Sequence, residues 1–195
     1  MEQPPLVVSF YTEPFQAKLL LASCRVLGIE AEIEPLPSQQ AAQSCAMKPF
    51  FIRQKLLEKK RPLFWVNADS VFKKKPDFSF LLESDLSFRT MKGFTKDKRF
   101  KYTSDSLFIN YTPRALEFAD KWCEHCQLKI DNKDELELAD QIILIDLIDR
   151  GHILKVLPLP ISYCKVFDFD AEEVHPQKIV VEHFLTSPRF RHWRS

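Results

Sequence analysis

Residues 61–70 read Arg61-Pro62-Leu63-Phe64-Trp65-Val66-Asn67-Ala68-Asp69-Ser70, a continuous apolar run that leads into polar side chains. The run over 63–66 is typical of a central parallel strand that is covered on both faces. Asn67 and Asp69 follow where such a strand ends, and ligands of open α/β sheets bind at the carboxyl ends of strands. Because alternate residues of an extended chain point the same way, both side chains could reach one ligand. The alternative is a polar turn, for which Asn, Asp and Ser are ordinary residues.

The overall composition is that of a globular protein with no strong electrostatic preference. The chain has 195 residues, 45% hydrophobic and 28% charged, and this length predicts one domain over residues 1–195. A formal net charge of +1 gives no global case for nucleic-acid or membrane binding. No apolar run approaches the roughly 20 residues that span a bilayer, and the N-terminus lacks the pattern of a secretory signal. We therefore expect a cytoplasmic protein without a membrane span.

The numbers of glycines and cysteines bear on which phosphate-binding, disulfide and zinc sites the chain can form. With only 3 glycines, the chain offers no glycine-rich loop of the P-loop or GxGxxG type. The 5 cysteines, an odd number without a secretory signal, favour reduced thiols. Cys123 and Cys126 have the spacing of half a zinc site, but no second Cys/His pair stands at metal-finger spacing. Cys126 also shares a helical stripe with Ala115, Ala119 and Trp122, which favours a place in the core.

The N-terminal part predicts a strand-helix-strand unit. A strand over 6–10 ends at Tyr11 and Thr12, and Pro14 stands where a helix would begin. The apolar residues that recur at helical spacing are Phe15, Leu19, Ala22 and Val26. Gly28 is placed to end the helix, and a half-exposed strand follows over 29–36. Such a unit opens a doubly wound α/β sheet.

The rest of the chain continues the alternation of helices and strands. We predict helices that begin at Pro49 and Pro113, a helix over 134–150, and strands over 103–111, 153–159 and 178–184. Residues 72–101 carry weaker signals, and we interpret the charged segment 92–101 as a mobile surface loop or lid. Asp140 lies on the apolar stripe of the helix over 134–150. A carboxylate there is costly unless it is paired, hydrogen-bonded or open to a cleft.

Taken in order, these pieces resemble the GT-A nucleotide-diphospho-sugar transferases over most of the chain. The strand that ends in Tyr11-Thr12 is similar to the family's opening unit, and 62–69 is similar to the strand that carries its Asp-x-Asp motif. The later segments that carry the resemblance are 106–110, Asp140-Gln141 with Leu144, Glu182-His183-Phe184, and Arg189. The resemblance implies an α/β, GT-A-like (Rossmann-like) fold, with a mixed, mainly parallel sheet and helices on both faces.

The same resemblance implies a glycosyltransferase that moves a sugar from a nucleotide-diphosphate sugar to an acceptor. A divalent cation, Mn²⁺ or Mg²⁺, would neutralise the charge that develops on the diphosphate, with Asp69 and His183 as its protein ligands. Asn67 would hold a ribose or sugar hydroxyl or offer a weak carbonyl ligand to the cation, and Asp140 would act as an acceptor-side base or orienting acid. The expected nucleotide contacts are Tyr11 and Thr12 for the base and ribose, and Lys48 and Arg189 for the diphosphate.

Structural roles are open for the same residues, and two departures from the family pattern favour a second hypothesis. Asn67 replaces the motif's first acid, which removes a negative charge from a cation site. Ala139 stands where many such enzymes have a second acid. A GT-A-like module that binds a nucleotide or a partner without catalysis is therefore the alternative. A nucleotidyltransferase on a similar sheet would need a glycine-rich N-terminal loop, which the chain lacks.

Overall fold

Two β-sheets organise the molecule. The computed structural model describes residues 3–37, 40, 43–91, 98–151, 154–166 and 174–184. Its strands are, in chain order, β1 (Leu6–Tyr11), β2 (Ala31–Pro35), β3 (Leu63–Val66), β4 (Ser70–Phe72), β5 (Leu86–Thr90), β6 (Tyr102–Ile109), β7 (Val156–Pro158), β8 (Lys165–Val166) and β9 (Val181–His183). In the described part, six strands form the main sheet in the order β2-β1-β3-β6-β5-β7, and three form a small sheet in the order β4-β9-β8.

The main sheet is mixed and mainly parallel, as predicted. β1 pairs in parallel with β2 and β3, and β7 pairs in parallel with β5. β6 runs antiparallel to both of its neighbours, β3 and β5. The prediction of a central strand over 63–66 is confirmed, since all four residues of β3 are buried. Burial of such side chains stabilises the fold by roughly 1.5–3 kcal/mol each.

Helices cover both faces of the main sheet. They are α1 (Lys18–Leu27), α2 (Ser44–Lys59), α3 (Pro113–Asp131) and α4 (Ala139–Asp149). One core cluster joins one face of the sheet to α2, α3 and α4. The other cluster joins the opposite face to α1, the small sheet and the segment around Leu81. No helix among the described residues is long and apolar enough to cross a membrane.

α1 differs from its sequence pattern in two ways. It begins at Lys18 rather than at Pro14, because residues 14–17 form turns before the regular helix starts. The residues that α1 buries are Leu20, Ser23 and Cys24, so the apolar stripe that begins at Phe15 lies on its outer side. Gly28 ends the helix in the left-handed conformation at φ 60°, as predicted.

α2 begins at Ser44, five residues before the proline that was expected to start it. Pro49 therefore lies inside the helix and is buried, although proline lacks the N–H that a helix interior uses. The first turns are held instead by tertiary contacts, since Ala46 and Lys48 are also buried. Packing of these residues against the sheet and the neighbouring helices outweighs the local preference.

The later elements follow the sequence with shifted ends. α3 begins at Pro113, where the Thr112 hydroxyl accepts a 3.2 Å bond from the Ala115 N–H. α4 begins at Ala139, so residues 134–138 precede it, and the strand expected over 153–159 contains only β7. β5 was not predicted within 72–101. Residues 92–97, most of the predicted surface loop, lie outside the described residues.

Candidate functional site

The candidate site lies at the end of the main sheet where β1 and β3 finish. Tyr11 is the last residue of β1, and Asn67 directly follows β3. Since β6 is antiparallel to β3, the first half of β6 reaches the same edge of the sheet. The Asn67 backbone N–H accordingly donates a 2.9 Å hydrogen bond to the Asp105 carbonyl oxygen. Polar residues of β6, which were not among the predicted site residues, therefore belong to this edge.

The Asn67 side chain is held at both ends of its amide. Its Nδ2 donates to Asp105 Oδ1 at 2.6 Å, and its Oδ1 accepts from Trp65 Nε1 at 3.1 Å. Asp105 is 3% exposed, and its Oδ2 also accepts a 2.8 Å bond from the Thr103 hydroxyl. The residue that replaces the motif's first acid thus carries a carboxylate beside it, supplied by the neighbouring strand.

An irregularity in β6 places its serines on different sides of the sheet. Phe88 of β5 pairs with Leu107, while the next residue, Arg89, pairs with Thr103, so residues 104–106 of β6 bulge opposite a single step of β5. Bulges turn side chains away from strict alternation and are common beside active sites. Here the Ser104 hydroxyl bonds to a residue of α4, and the Ser106 hydroxyl bonds to a residue of β9.

The small sheet brings Asp69 and His183 to neighbouring positions. Asp69 is half-buried in the turn between β3 and β4, and its carbonyl oxygen accepts a 2.9 Å bond from the Phe184 N–H. The next residue, Ser70, pairs with His183 across β4 and β9. His183 is 2% exposed, and its Nε2 lies 2.8 Å from Ser106 Oγ in a hydrogen bond. Asn67, Asp69 and His183 thus lie around the start of β4.

Lys48 and Asp140 form a second, fully buried cluster on the helix side of β6. The Lys48 ammonium pairs with Asp140 Oδ2 and donates to the Ser104 hydroxyl at 2.9 Å and carbonyl at 3.0 Å. The Ser104 hydroxyl donates in turn to Asp140 Oδ2 at 2.7 Å. Lys48 is 2% exposed and Asp140 0% exposed. While this pair is closed, it positions the β6 bulge, and contact of either residue with a ligand requires the pair to open.

Tyr11 and Thr12 are half-buried at the end of β1. The Tyr11 carbonyl oxygen accepts from the Leu36 N–H at 2.8 Å, which ties this end to the segment after β2. Thr12 donates to Gln16 Oε1 from its N–H at 3.2 Å and from its hydroxyl at 3.1 Å. This turn leads into α1. Arg189 lies outside the described residues, so its predicted diphosphate contact stays a prediction.

The predicted cation site has few protein donors. The described residues contain no group of three or more His, Cys, Asp and Glu side chains that could hold a metal ion. The two predicted ligands are few for Mn²⁺ or Mg²⁺, which take about six. His183 also uses its Nε2 in the bond to Ser106. The protein groups described at this site therefore do not fit a resident cation by themselves.

Charged groups near the site belong to ordered pairs. Glu182 of β9 accepts from Lys165 at 3.0 Å and pairs with Lys73 at 3.0 Å. Burial raises the pKa of the Glu182 carboxyl, but these two lysines outweigh it and leave the pKa below its usual value. Arg89, which is 4% exposed, donates to the Cys164 carbonyl oxygen at 2.8 Å. These contacts fix β8 and β9 against β4 and β5.

Sequence reasoning missed Asp105, Ser106 and Arg89. A usable signal was the polar run over 103–106, since four hydroxyl and carboxyl side chains in a row are unusual for a strand that is buried on both faces. Antiparallel pairing with β3 then places that run beside Asn67. The register shift that separates Ser104 from Ser106 depends on β5, which local sequence did not reveal.

Comparison with known proteins gives a result at the level of the fold. No protein-family model matches the chain, and no curated protein matches it in sequence. Among solved structures, it is similar to a glycosyltransferase involved in the glycosylation of the major capsid of PBCV-1. The two share a TM-score of 0.66 over 95% of each chain, at 13% sequence identity. The chain therefore has a GT-A-like fold, a single mixed α/β domain with a mostly parallel sheet.

Proposed function

We propose that the protein transfers a sugar from a nucleotide-diphosphate sugar to an acceptor. The observation that carries this proposal is the polar cluster of Asn67, Asp105 and Asp69 where β3 ends in a glycosyltransferase-like fold. Ligands of open α/β sheets bind at such ends. Tyr11 and Thr12, at the end of the adjacent parallel strand, are the proposed contacts for the base and ribose.

Two polar residues are proposed to form the sugar end of the donor site. Asp105 is the proposed carboxylate there, and it accepts hydrogen bonds from Asn67 and Thr103. Asn67 acts in this proposal by orienting Asp105, as well as by direct contact with a hydroxyl. Arg189 remains the proposed diphosphate contact, together with Lys48 if its buried pair opens.

The proposed cation enters with the donor rather than as a resident cofactor. Mn²⁺ or Mg²⁺ bound to a diphosphate already has phosphate oxygens as ligands, so few protein donors are required. Asp69 is the proposed carboxylate for that complex. His183 would then act through Ser106, to which it is hydrogen-bonded, and as a ligand only after that bond is broken.

The alternative is a module that binds a nucleotide or a partner without catalysis. One observation favours it: the Asn67 amide and the Lys48 ammonium are both engaged in hydrogen bonds within the protein rather than left open to a ligand. Ala139, at the start of α4, also offers no acid beside the buried Asp140.

A thermal-shift assay with nucleoside diphosphates, with and without Mn²⁺, tests the donor site. A ligand that binds only the folded state raises the melting temperature by mass action. We expect a shift that grows with Mn²⁺, is lost in Asp69→Ala and is kept in Glu124→Ala, which removes an exposed carboxylate from α3. The absence of a shift with every nucleotide at millimolar concentration would sink the transferase proposal.

Release of nucleoside diphosphate from a panel of nucleotide sugars separates the two proposals. Turnover that depends on Asp69 supports the transferase. Binding with no release, even with mixed oligosaccharide and lipid acceptors, supports the binding module.

A further inference from the structure

The outer side of α1 carries an aligned set of apolar side chains. This set, called the outer stripe here, consists of Leu19, Ala22 and Val26 of the helix, with Phe15 in the turn that leads into it. Phe15 is 61% exposed, Leu19 is 56% exposed and Val26 is 82% exposed. The spacing of three and four residues puts Leu19, Ala22 and Val26 on one side of α1.

The opposite side of α1 packs against the core of the protein. Leu20, Ser23 and Cys24 are buried, and the Ser23 hydroxyl accepts a 3.1 Å bond from the Phe72 N–H of β4. A surface helix ordinarily turns its apolar stripe to the core and its polar residues to water. In α1 the core side combines one leucine with a hydroxyl and a thiol, while Leu19 and Val26 face outward. Exposed apolar surface of this kind is typical of docking sites.

The charge around the outer stripe is of one sign along the helix. α1 contains no Asp or Glu, and its charged residues are Lys18 and Arg25, both exposed. Because they are seven residues apart, they lie on one side of α1, next to the outer stripe. Lys74 and Lys75, also exposed, follow β4, whose Phe72 bonds to Ser23 of α1, and the Lys74 ammonium donates to the Gln177 carbonyl oxygen. The nearest acidic residue in the chain before the helix is Glu13, in the turn that precedes it.

We infer that α1 docks on the surface of an anionic lipid membrane. A helix about 15 Å long with an apolar stripe and a flanking basic row has the pattern of an interfacial helix, whose apolar side enters the acyl boundary while Lys and Arg meet lipid phosphates. Lysine and arginine near an anionic leaflet strengthen such binding through charge complementarity. A two-fold contact between antiparallel copies of α1 would instead bring the basic rows of both helices close together, which is unfavourable. The inference does not depend on sugar transfer.

Co-sedimentation of the full chain with vesicles tests the inference. We expect binding to vesicles that contain phosphatidylglycerol, weaker binding to pure phosphatidylcholine, and a decrease as salt is raised. Leu19→Gln/Val26→Gln should weaken binding about tenfold, because two apolar side chains no longer enter the lipid. Lys18→Glu/Arg25→Glu should weaken binding to the anionic vesicles alone.

The matched control is Leu128→Gln, which changes a leucine that is 53% exposed on α3, on the other face of the sheet. Its vesicle binding should equal that of the unaltered protein. All variants change exposed side chains, so unchanged melting curves will show that each is folded. The inference is overturned if the unaltered protein fails to bind phosphatidylglycerol vesicles, or if Leu128→Gln weakens binding as much as the α1 variant. It is also overturned if sedimentation velocity shows a dimer that only the α1 variant dissociates, since a second copy would then cover the outer stripe.

Discussion

The Asn67 amide nitrogen donates a 2.6 Å hydrogen bond to a carboxylate oxygen of Asp105. The two residues belong to adjacent antiparallel strands, and their backbones are also joined at 2.9 Å. Position 67, where the resemblance to an Asp-x-Asp motif predicts an acid, therefore has a carboxylate beside it on β6. The Asn67 amide is a neutral donor to that buried carboxylate.

Asn67→Asp should destabilise the protein at pH 7. It replaces the amide donor with a second carboxylate next to Asp105, and two like charges at this distance raise one pKa. We expect a loss of about 2–3 kcal/mol in the free energy of unfolding at pH 7, measured by urea denaturation. A carboxyl whose pKa is raised by folding is penalised only above its unfolded pKa, so the loss should shrink toward pH 4.

The control for this substitution is Asn132→Asp, at an exposed position after α3, which should change stability by less than about 0.5 kcal/mol. Equal losses at pH 7 and pH 4 would contradict the charge argument. The same denaturation can be repeated with Mn²⁺. If Mn²⁺ restores the stability of Asn67→Asp, the two carboxylates together form a cation site.

Lys48→Met should be strongly destabilising, because it leaves the Asp140 carboxylate, which is 0% exposed, without its ammonium partner. Loss of one member of a buried pair costs about 3–5 kcal/mol. Lys48→Met/Asp140→Leu should recover most of that loss, since no buried charge remains. Urea denaturation of both single variants and the double variant measures this coupling. Additive losses in the double variant would show that the pair is not the source of the effect.

Asp85→Asn should reduce stability at neutral pH and have little effect in acid. Burial raises the pKa of the Asp85 carboxyl, but the Lys155 backbone N–H, the Thr112 hydroxyl and Arg114 outweigh it, and the pKa falls below its ordinary value of 3.8. A carboxyl with a depressed pKa stabilises the fold above its unfolded pKa and loses that effect as pH falls through the folded pKa.

The free energy of unfolding of Asp85→Asn should therefore differ most from that of the unaltered protein at pH 7. The difference should disappear as the pH falls below about 3.8, which chemical denaturation across pH can follow. Asp131→Asn, on the exposed end of α3, is the control and should change the free energy of unfolding by less than about 0.5 kcal/mol at pH 7. A gap that stays constant down to pH 3 would rule out the ionised carboxylate as its cause.

A thiol-reactive reagent should distinguish one accessible cysteine from four protected cysteines. Cys24, Cys123, Cys126 and Cys164 are buried, whereas Cys45 is half-buried. Burial raises the pKa of Cys24 to about 11 and that of Cys164 to about 12, so few thiolates form at neutral pH. A disulfide reagent at pH 8 should label one thiol quickly and the other four only on unfolding. Cys45→Ser should abolish the fast phase, and a fast phase that survives this change would contradict the assignment.

The local sequence was sufficient to predict those elements whose position depends on the periodicity of neighbouring residues. The apolar run over 63–66 became the buried strand β3, and Gly28 ended α1 as expected. The fold class followed from the alternation of such elements along the chain. The resemblance in chain order then placed Asn67, Asp69 and His183 in one region, although no single segment carried that information.

Contacts between distant residues explain what was missed. Asp140 was expected on a core-facing stripe, but its partner Lys48 lies on α2, which began five residues earlier than its proline suggested. The bulge over 104–106 arises from pairing with β5, an element with weak periodicity. Ser106 meets His183 across 77 residues of chain. Such pairings are set by the assembled sheets and leave little trace in a window of neighbouring residues.

The position of β9 has a consequence for how the protein forms during synthesis. Within the described small sheet, β4 and β8 each pair with β9 and not with one another. The ribosome makes β9 after every other described strand, and only then can β4 gain its neighbour and Ser106 its imidazole. Before β9 has been synthesised, β4 lacks its partner in the small sheet, and an unpaired strand edge favours aggregation. A chain that ends before residue 181 therefore lacks β9, and in it the Ser106 hydroxyl has no imidazole partner.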